Sequence, residues 1–243
     1  MVRAAVLLSG HLREACDEGW WALVEQVGRC RDSFPRGCDV FLHTWHTTRP
    51  LLHTPSLPCV SSLVRALAPA AVSVERQETS GFNMSRPWRA SVRSYEAYRF
   101  NIAGMIGAAS LMRLHAAQRH IHYSVALRLR TDIGSPRIVR LVNGTLSLDA
   151  WRTLHRAASA PPSARELRSC SAIKRPGAAG EDNCFWSAPT EPLVDTLHAL
   201  RDNFDALSQT PIRKGCLHDA HPESLLRCAA KLAGVVGKPL VGG

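Results

Sequence analysis

The chain has 243 residues, 45% hydrophobic and 21% charged, a globular balance that excludes a disordered protein and suits one sizeable α/β domain or at most two small ones. Thirty lysines and arginines against 20 acidic residues leave a net charge of +10. Four of those thirty are lysines, the arginines are spread over the whole length, and no basic block or aromatic-studded basic strand forms, so nucleic acid is not an expected partner.

Residues 3–8 form a short continuous apolar run that stops at Ser9 and Gly10, the pattern of a parallel strand covered on both faces. Over 14–30, Trp20, Leu23, Val24 and Val27 recur at helical spacing. Residues 39–42 read as a second strand, opening into a polar, ring-rich His-Thr-Trp-His-Thr-Thr stretch. A short helix over 60–67, stopped before Pro69, and a third strand over 71–75 complete a β, α, β, α, β order. After a loop with Gly81, Asn83 and Pro87 comes the longest helical pattern. There Val92, Tyr95, Tyr98, Ile102, Met105, Ile106, Ala109, Met112 and Ala116 make one apolar stripe that ends near Arg119 and His120.

The next strand lies within Ser-Val-Ala-Leu-Arg-Leu-Arg-Thr-Asp-Ile-Gly, residues 124–134. Strand alternation sends Val125, Leu127, Leu129 and Thr131 to one face and Ala126, Arg128, Arg130 and Asp132 to the other. A buried guanidinium left unpaired costs about 3 to 5 kcal/mol, so each of these arginines needs a carboxylate, a carbonyl or an anionic ligand. Two readings stand side by side: a structural Arg/Asp network at a sheet edge, and a ligand site. Asp132 falls at the carboxyl end of a strand in an alternating α/β array, where such folds bind ligands.

The second half is less regular. Residues 137–148 read as a hairpin around Asn143 and Gly144. Residues 157–181, rich in Ala, Ser, Pro and Gly, read as a mobile loop. A strand over 184–188, a helix over 191–207 and a helix over 222–232 with proline at its first position close the pattern. No internal repeat is present.

Dinucleotide, P-loop, zinc-protease and serine-hydrolase signatures are absent from the sequence, which leaves sites built on strand ends. Three constellations carry chemistry. The first is Ser9-Gly10-His11-Leu12-Arg13, where free amides and a guanidinium after a tight turn suit a phosphate, as they would also suit an ordinary surface turn. In the second, Asp132 suits Mg2+ or Mn2+ together with substrate phosphates, and Arg128 and Arg130 would orient that carboxylate or clamp a diphosphate. The third is acidic and histidine-rich. Asp182 suits a general base with Glu181 as a nearby alternative, and His218, Asp219 and His221 suit a metal or phosphate, while Glu223 also fits the plain role of an acidic residue in a helix's first turn.

Eight cysteines without a Cys-x-x-Cys pair permit disulfides without requiring them. The sequons at Asn83 and Asn143 are compatible with a lumenal protein. No apolar run approaches the roughly 18 residues of a membrane helix, so no transmembrane segment is expected. Met-Val-Arg-Ala-Ala-Val-Leu-Leu-Ser-Gly makes a poor signal peptide. The expectation is a cytoplasmic protein by default, or a Golgi-lumen protein if an N-terminal anchor is missing.

Taken in order, Ala-Val-Leu-Leu-Ser-Gly-His-Leu-Arg, Asp-Val-Phe-Leu-His-Thr-Trp, Tyr-Ser-Val-Ala-Leu-Arg-Leu-Arg-Thr-Asp-Ile, Glu-Asp-Asn-Cys-Phe-Trp and the segment from His221-Pro222-Glu223 to Val235 resemble a family of glycosyltransferase-like proteins with a nucleotide-diphospho-sugar transferase (GT-A type) fold. The resemblance runs from about Arg3 to Val235. It implies a single Rossmann-like domain over 1–243, its mainly parallel central sheet flanked by helices, with a nucleotide-binding half over 1–135 and an acceptor-side half over 136–243. It further implies sugar transfer from a nucleotide-sugar donor to a glycan or other hydroxyl acceptor. Ser9, Gly10 and Arg13 would approach the nucleotide, His221 would lie near the diphosphate, and Asp182 would face the acceptor. Asp132 would stand at the Mn2+ or Mg2+ position. Position 130, an acidic residue in the Asp-x-Asp motif of better-known enzymes of this fold, is arginine here.

Overall fold

The computed structural model describes residues 2–10, 12, 20–46, 57–76, 92–131, 148–160, 165–169, 184–203 and 222–239. Its elements are β1 (Ala4–Ser9), α1 (Trp20–Ser33), β2 (Cys38–His46), α2 (Leu57–Leu67), β3 (Ala71–Arg76), α3 (Val92–Arg119), β4 (Val125–Arg130), α4 (Leu148–Ser159), β5 (Glu166–Ser169), β6 (Cys184–Ser187), α5 (Glu191–Asp202), α6 (Pro222–Leu232) and β7 (Val236–Pro239). The seven strands form one sheet in the order β3-β2-β1-β4-β6-β5-β7. Of these, β6 runs against its neighbours and the other six share a direction. This is an α/β protein with a mainly parallel sheet flanked by helices.

Two apolar layers hold the helices to the sheet. On one face Val6, Leu8, Val40, Leu42, Leu127 and Leu129 meet α1, α2 and α4 through Leu23, Val27, Leu63, Leu67, Trp151 and Leu154. On the other Ala5, Leu7, Phe41, Ala126 and Phe185 meet α3, α5 and α6 through Ile102, Met105, Ala109, Met112, Leu193, Leu197 and Leu226. Because β1 and β4 bury both of their faces, neither shows the polar-apolar alternation of a half-exposed strand. The stripe expected on α3 is the one it buries, at Ile102, Met105, Ala109 and Met112.

Local chemistry closes the junctions. The Cys30–Cys38 disulfide ties the last turn of α1 to the first residue of β2. The Trp151 indole donates to Gln26 Oε1 at 3.2 Å, joining α4 to α1 through a buried polar pair. At the opposite end of the sheet from its strand tips, Asp39 Oδ2 accepts from Arg3 Nε at 2.9 Å and from the Tyr123 hydroxyl at 2.7 Å. Burial first, and then that hydrogen bond and the carboxylate's charge, push the Tyr123 phenol well above its ordinary value. Ahead of α5, Ser187 Oγ accepts from Leu193 N at 3.1 Å and so satisfies a first-turn amide that the helix cannot.

Several expectations shift. α1 covers Trp20–Ser33, the part of the expected helix before it lying outside the described residues, and β2 continues to His46, carrying the ring-rich stretch into the sheet. The segment 157–181, expected to be a loop, contains the end of α4 and the strand β5, whose Leu167 is buried beside β6 and β7. α5 stops at Asp202 instead of 207, where Asn203 Nδ2 donates back to Ala199 O. The hairpin expected at 137–148 lies outside the described residues apart from Leu148, which opens α4.

Candidate functional site

The chain lays β1, β2 and β3 outward in one direction, then crosses back through α3 to place β4 on the other side of β1. The order therefore reverses between β1 and β4, and in an open α/β sheet the crevice for ligands lies outside the carboxyl ends of the strands at such a reversal. The residues at those two ends are Ser9 and Gly10 on β1 and Arg130 and Thr131 on β4, with Ser9 and Arg130 register partners.

Gly10 is required by this junction. It adopts φ of +135°, and a Cβ built on it would lie 2.9 Å from Thr131 Oγ1. Its amide donates to His43 O at 3.3 Å, and its carbonyl accepts from Thr44 Oγ1 at 2.9 Å. The turn leaving β1 is thus pinned to β2 on one side and pressed against the end of β4 on the other. Only glycine combines that backbone with that proximity.

Beneath α3 the last rows of the sheet turn polar. Register places Ser73, His43, Ser9 and Arg130 in one row across β3, β2, β1 and β4. Glu75 Oε1 lies 3.2 Å from His43 Nε2 and accepts from Ser73 Oγ at 3.3 Å. Burial, the dominant effect, holds the His43 imidazole below its ordinary pKa against the opposing pull of Glu75. The Trp45 ring stands edge-on to His43 at 4.6 Å and to Phe100 at 5.3 Å. α3 comes this close because it carries Gly107, where a Cβ would sit 2.2 Å from His43 Cδ2.

Arg128 lies one row deeper, opposite Leu7, and is 1% exposed. Its Nη2 donates to Asn101 Oδ1 of α3 at 2.9 Å, and its guanidinium carbon stands 5.7 Å from the Phe185 ring centroid. An amide carbonyl oxygen, one of the partners the sequence required, and an aromatic ring thus receive this cation. Arg130, one row further out, is half-buried.

Of the residues singled out from the sequence, the structure brings together Ser9, Gly10 and Arg130 at the crevice, with Arg128 beneath. Ser9 contributes its backbone there, since its side chain faces α3 and is buried. Arg13, Asp132, Glu181, Asp182, His218, Asp219 and His221 lie outside the described residues. Among the described residues no group of three His, Cys, Asp or Glu side chains gathers to hold a metal ion. At the crevice the half-buried Arg130 guanidinium lies beside the Ser9–Gly10 turn, and its charge suits an anion. Sequence reasoning passed over His43, Trp45, Glu75, Asn101, Gly104 and Gly107. Period-two spacing of Phe41, His43 and Trp45 was the available signal, since it puts all three on one face once β2 is allowed to run to residue 46.

No family model matches the chain, and no match was found among curated proteins or solved structures. The chain is an α/β protein whose mainly parallel sheet reverses its strand order between β1 and β4. Among the described residues no helix is long and apolar enough to cross a membrane.

Proposed function

We propose that the protein is a glycosyltransferase of GT-A type that takes a sugar from a nucleoside-diphosphate donor at the crevice between the tips of β1 and β4. One observation carries the reading: the sheet reverses its strand order where the Ser9–Gly10 turn and Arg130 meet. Two of the motifs that carry the resemblance, the one ending β1 and the arginine strand β4, meet at this point.

Sugar transfer loads negative charge onto the departing diphosphate, and cations fixed at that position stabilise the transition state. Arg130 supplies such charge from β4, while Arg128 acts from below α3 through its field. Arg13 is a further source, and His221 sits by the diphosphate in the same reading. A Mn2+ or Mg2+ ion on Asp132 would add Lewis-acid neutralisation of the leaving group when bound. Asp182, or Glu181 beside it, takes the proton of the acceptor hydroxyl if the reaction inverts. The acceptor is a glycan or another hydroxyl compound. The Cys30–Cys38 disulfide supports a working place in an oxidising lumen such as the Golgi over the cytoplasm.

Thermal-shift measurements with uridine, guanosine and adenosine diphospho-sugars, with and without Mn2+, test the proposal. One donor at about 100 times its Kd should raise Tm by roughly 5 °C or more. Arg130→Ala and Asp132→Ala should each weaken that shift, and slow release of free sugar from the donor should mark an enzyme. Stabilisation by polynucleotide with no response to any donor overturns the reading. A donor response that survives both substitutions overturns the site.

A further inference from the structure

Under the tips of β1 and β2, three buried polar side chains gather at Gly104 of α3. Among the described residues Ser9 Oγ, His43 Nδ1 and Trp45 Nε1 have no hydrogen-bond partner, and their residues are only 1%, 1% and 4% exposed. The helix passes over them at Gly104. A Cβ built on Gly104 would lie 3.5 Å from His43 Nδ1, 3.5 Å from Trp45 Nε1 and 3.5 Å from Ser9 Cβ. A small group that joins them would lie beside Gly104, which has no side chain of its own to take its place.

The donor and acceptor pattern selects the group. The Glu75 carboxylate 3.2 Å from His43 Nε2 can only accept, so the neutral ring carries its proton on Nε2 and turns a lone pair on Nδ1 toward Gly104. The Trp45 indole only donates, and the Ser9 hydroxyl does either. An occupant must accept from Trp45 and donate to His43. An ammonium has no lone pair for the indole proton, a halide has no proton for Nδ1, and a metal cation would face an N–H that cannot ligate it. A water molecule meets every demand.

We propose that one water is bound at Gly104 and joins Ser9, His43 and Trp45 in a single buried network. It is independent of the transferase reading. Its consequence for the fold is local: it fixes the last residue of β1, from which Gly10 turns into the crevice.

Gly104→Ala tests this by the sign of its effect. Within a helix, glycine to alanine ordinarily stabilises, and here the new methyl would meet its neighbours at ordinary contact distance. With water bound, however, the methyl evicts it and leaves the three polar atoms buried without a partner. The Tm of the full chain should then fall by about 5 °C. A Tm equal to or above that of the parent overturns the proposal. A high-resolution crystal structure of the parent gives an independent answer, and it decides the matter if the variant does not fold. An ordered water within hydrogen-bond distance of His43 Nδ1 and Trp45 Nε1 is expected there, and a point with no ordered atom overturns the proposal.

Discussion

Beneath α1, α2 and α4 the sheet stays apolar nearly to the ends of its central strands: Val6, Leu8, Val40, Leu42, Val125, Leu127 and Leu129 are at most 2% exposed. Beneath α3 the same strands begin with Ala5, Leu7, Phe41 and Ala126 but end with Ser9, His43, Arg128 and Arg130. Both faces are buried, so solvent does not explain the contrast. One face holds the sheet together by apolar contact along its length. The other does so only up to the last row of the strands, and there it substitutes a polar set whose members require partners.

That contrast can be broken from the apolar side first. Leu8→Ala removes a fully buried side chain from the layer in which the sheet's own residues are apolar. It should cost about 3 kcal/mol and lower Tm by about 9 °C in a thermal melt. A cost under about 1 kcal/mol would mean that this layer is loosely packed and the two faces are not distinct in kind.

A smaller effect is expected where the faces meet at the crevice. Gly10→Ala places an L side chain at φ of +135° with its Cβ 2.9 Å from Thr131 Oγ1, and should cost about 2 kcal/mol by urea unfolding. If the crevice binds an anion, the same variant should also lose donor-induced stabilisation. Leu8→Ala should keep it at temperatures where it remains folded.

The smallest effect separates the polar face by pH. Burial holds folded His43 below the ordinary value of 6.5, so as pH falls the unfolded chain takes up the proton first. Stability is therefore full above about 6.5 and declines below it until the folded histidine is itself protonated. His198, depressed by burial and by the nearby Arg201 and Arg113 charges, has the same sign. Urea unfolding from pH 8 to pH 5 should show this decline in the parent and a shallower one in His43→Asn. An unchanged slope in the variant would assign the acid sensitivity elsewhere.

Much of the scaffold was legible because burial writes itself into residue order. Arg3 to Leu8 reads as a strand covered on both faces, Val125 to Leu129 as a strand with one apolar face, and the stripe through Ile102, Met105, Ala109 and Met112 as one side of a helix. α4, β5 and β7 were not legible. α4 buries two large side chains, Trp151 and Leu154, among polar neighbours, and β5 buries Leu167 between a glutamate and an arginine that pair with each other at 2.6 Å. Such segments owe their structure to the surface they land on, and their own sequence carries little periodicity. The same holds for the site. The Ser9–Gly10 turn and the arginine strand stood out as motifs, whereas Asn101, Gly104 and Glu75 are unremarkable until folding brings them to Arg128 and His43.

The sequence by itself determined the alternating β and α elements of the first half, the burial of β1, and the presence of charge near a strand end, because these follow from local hydrophobic pattern. Tertiary structure alone decided that Arg128 meets an amide and a ring, that β6 runs against the sheet, and that His43, Trp45 and Ser9 face one glycine of α3. Those outcomes depend on which strands become neighbours and which helix crosses them, and no contact between residues so far apart along the chain is encoded in either one's immediate surroundings.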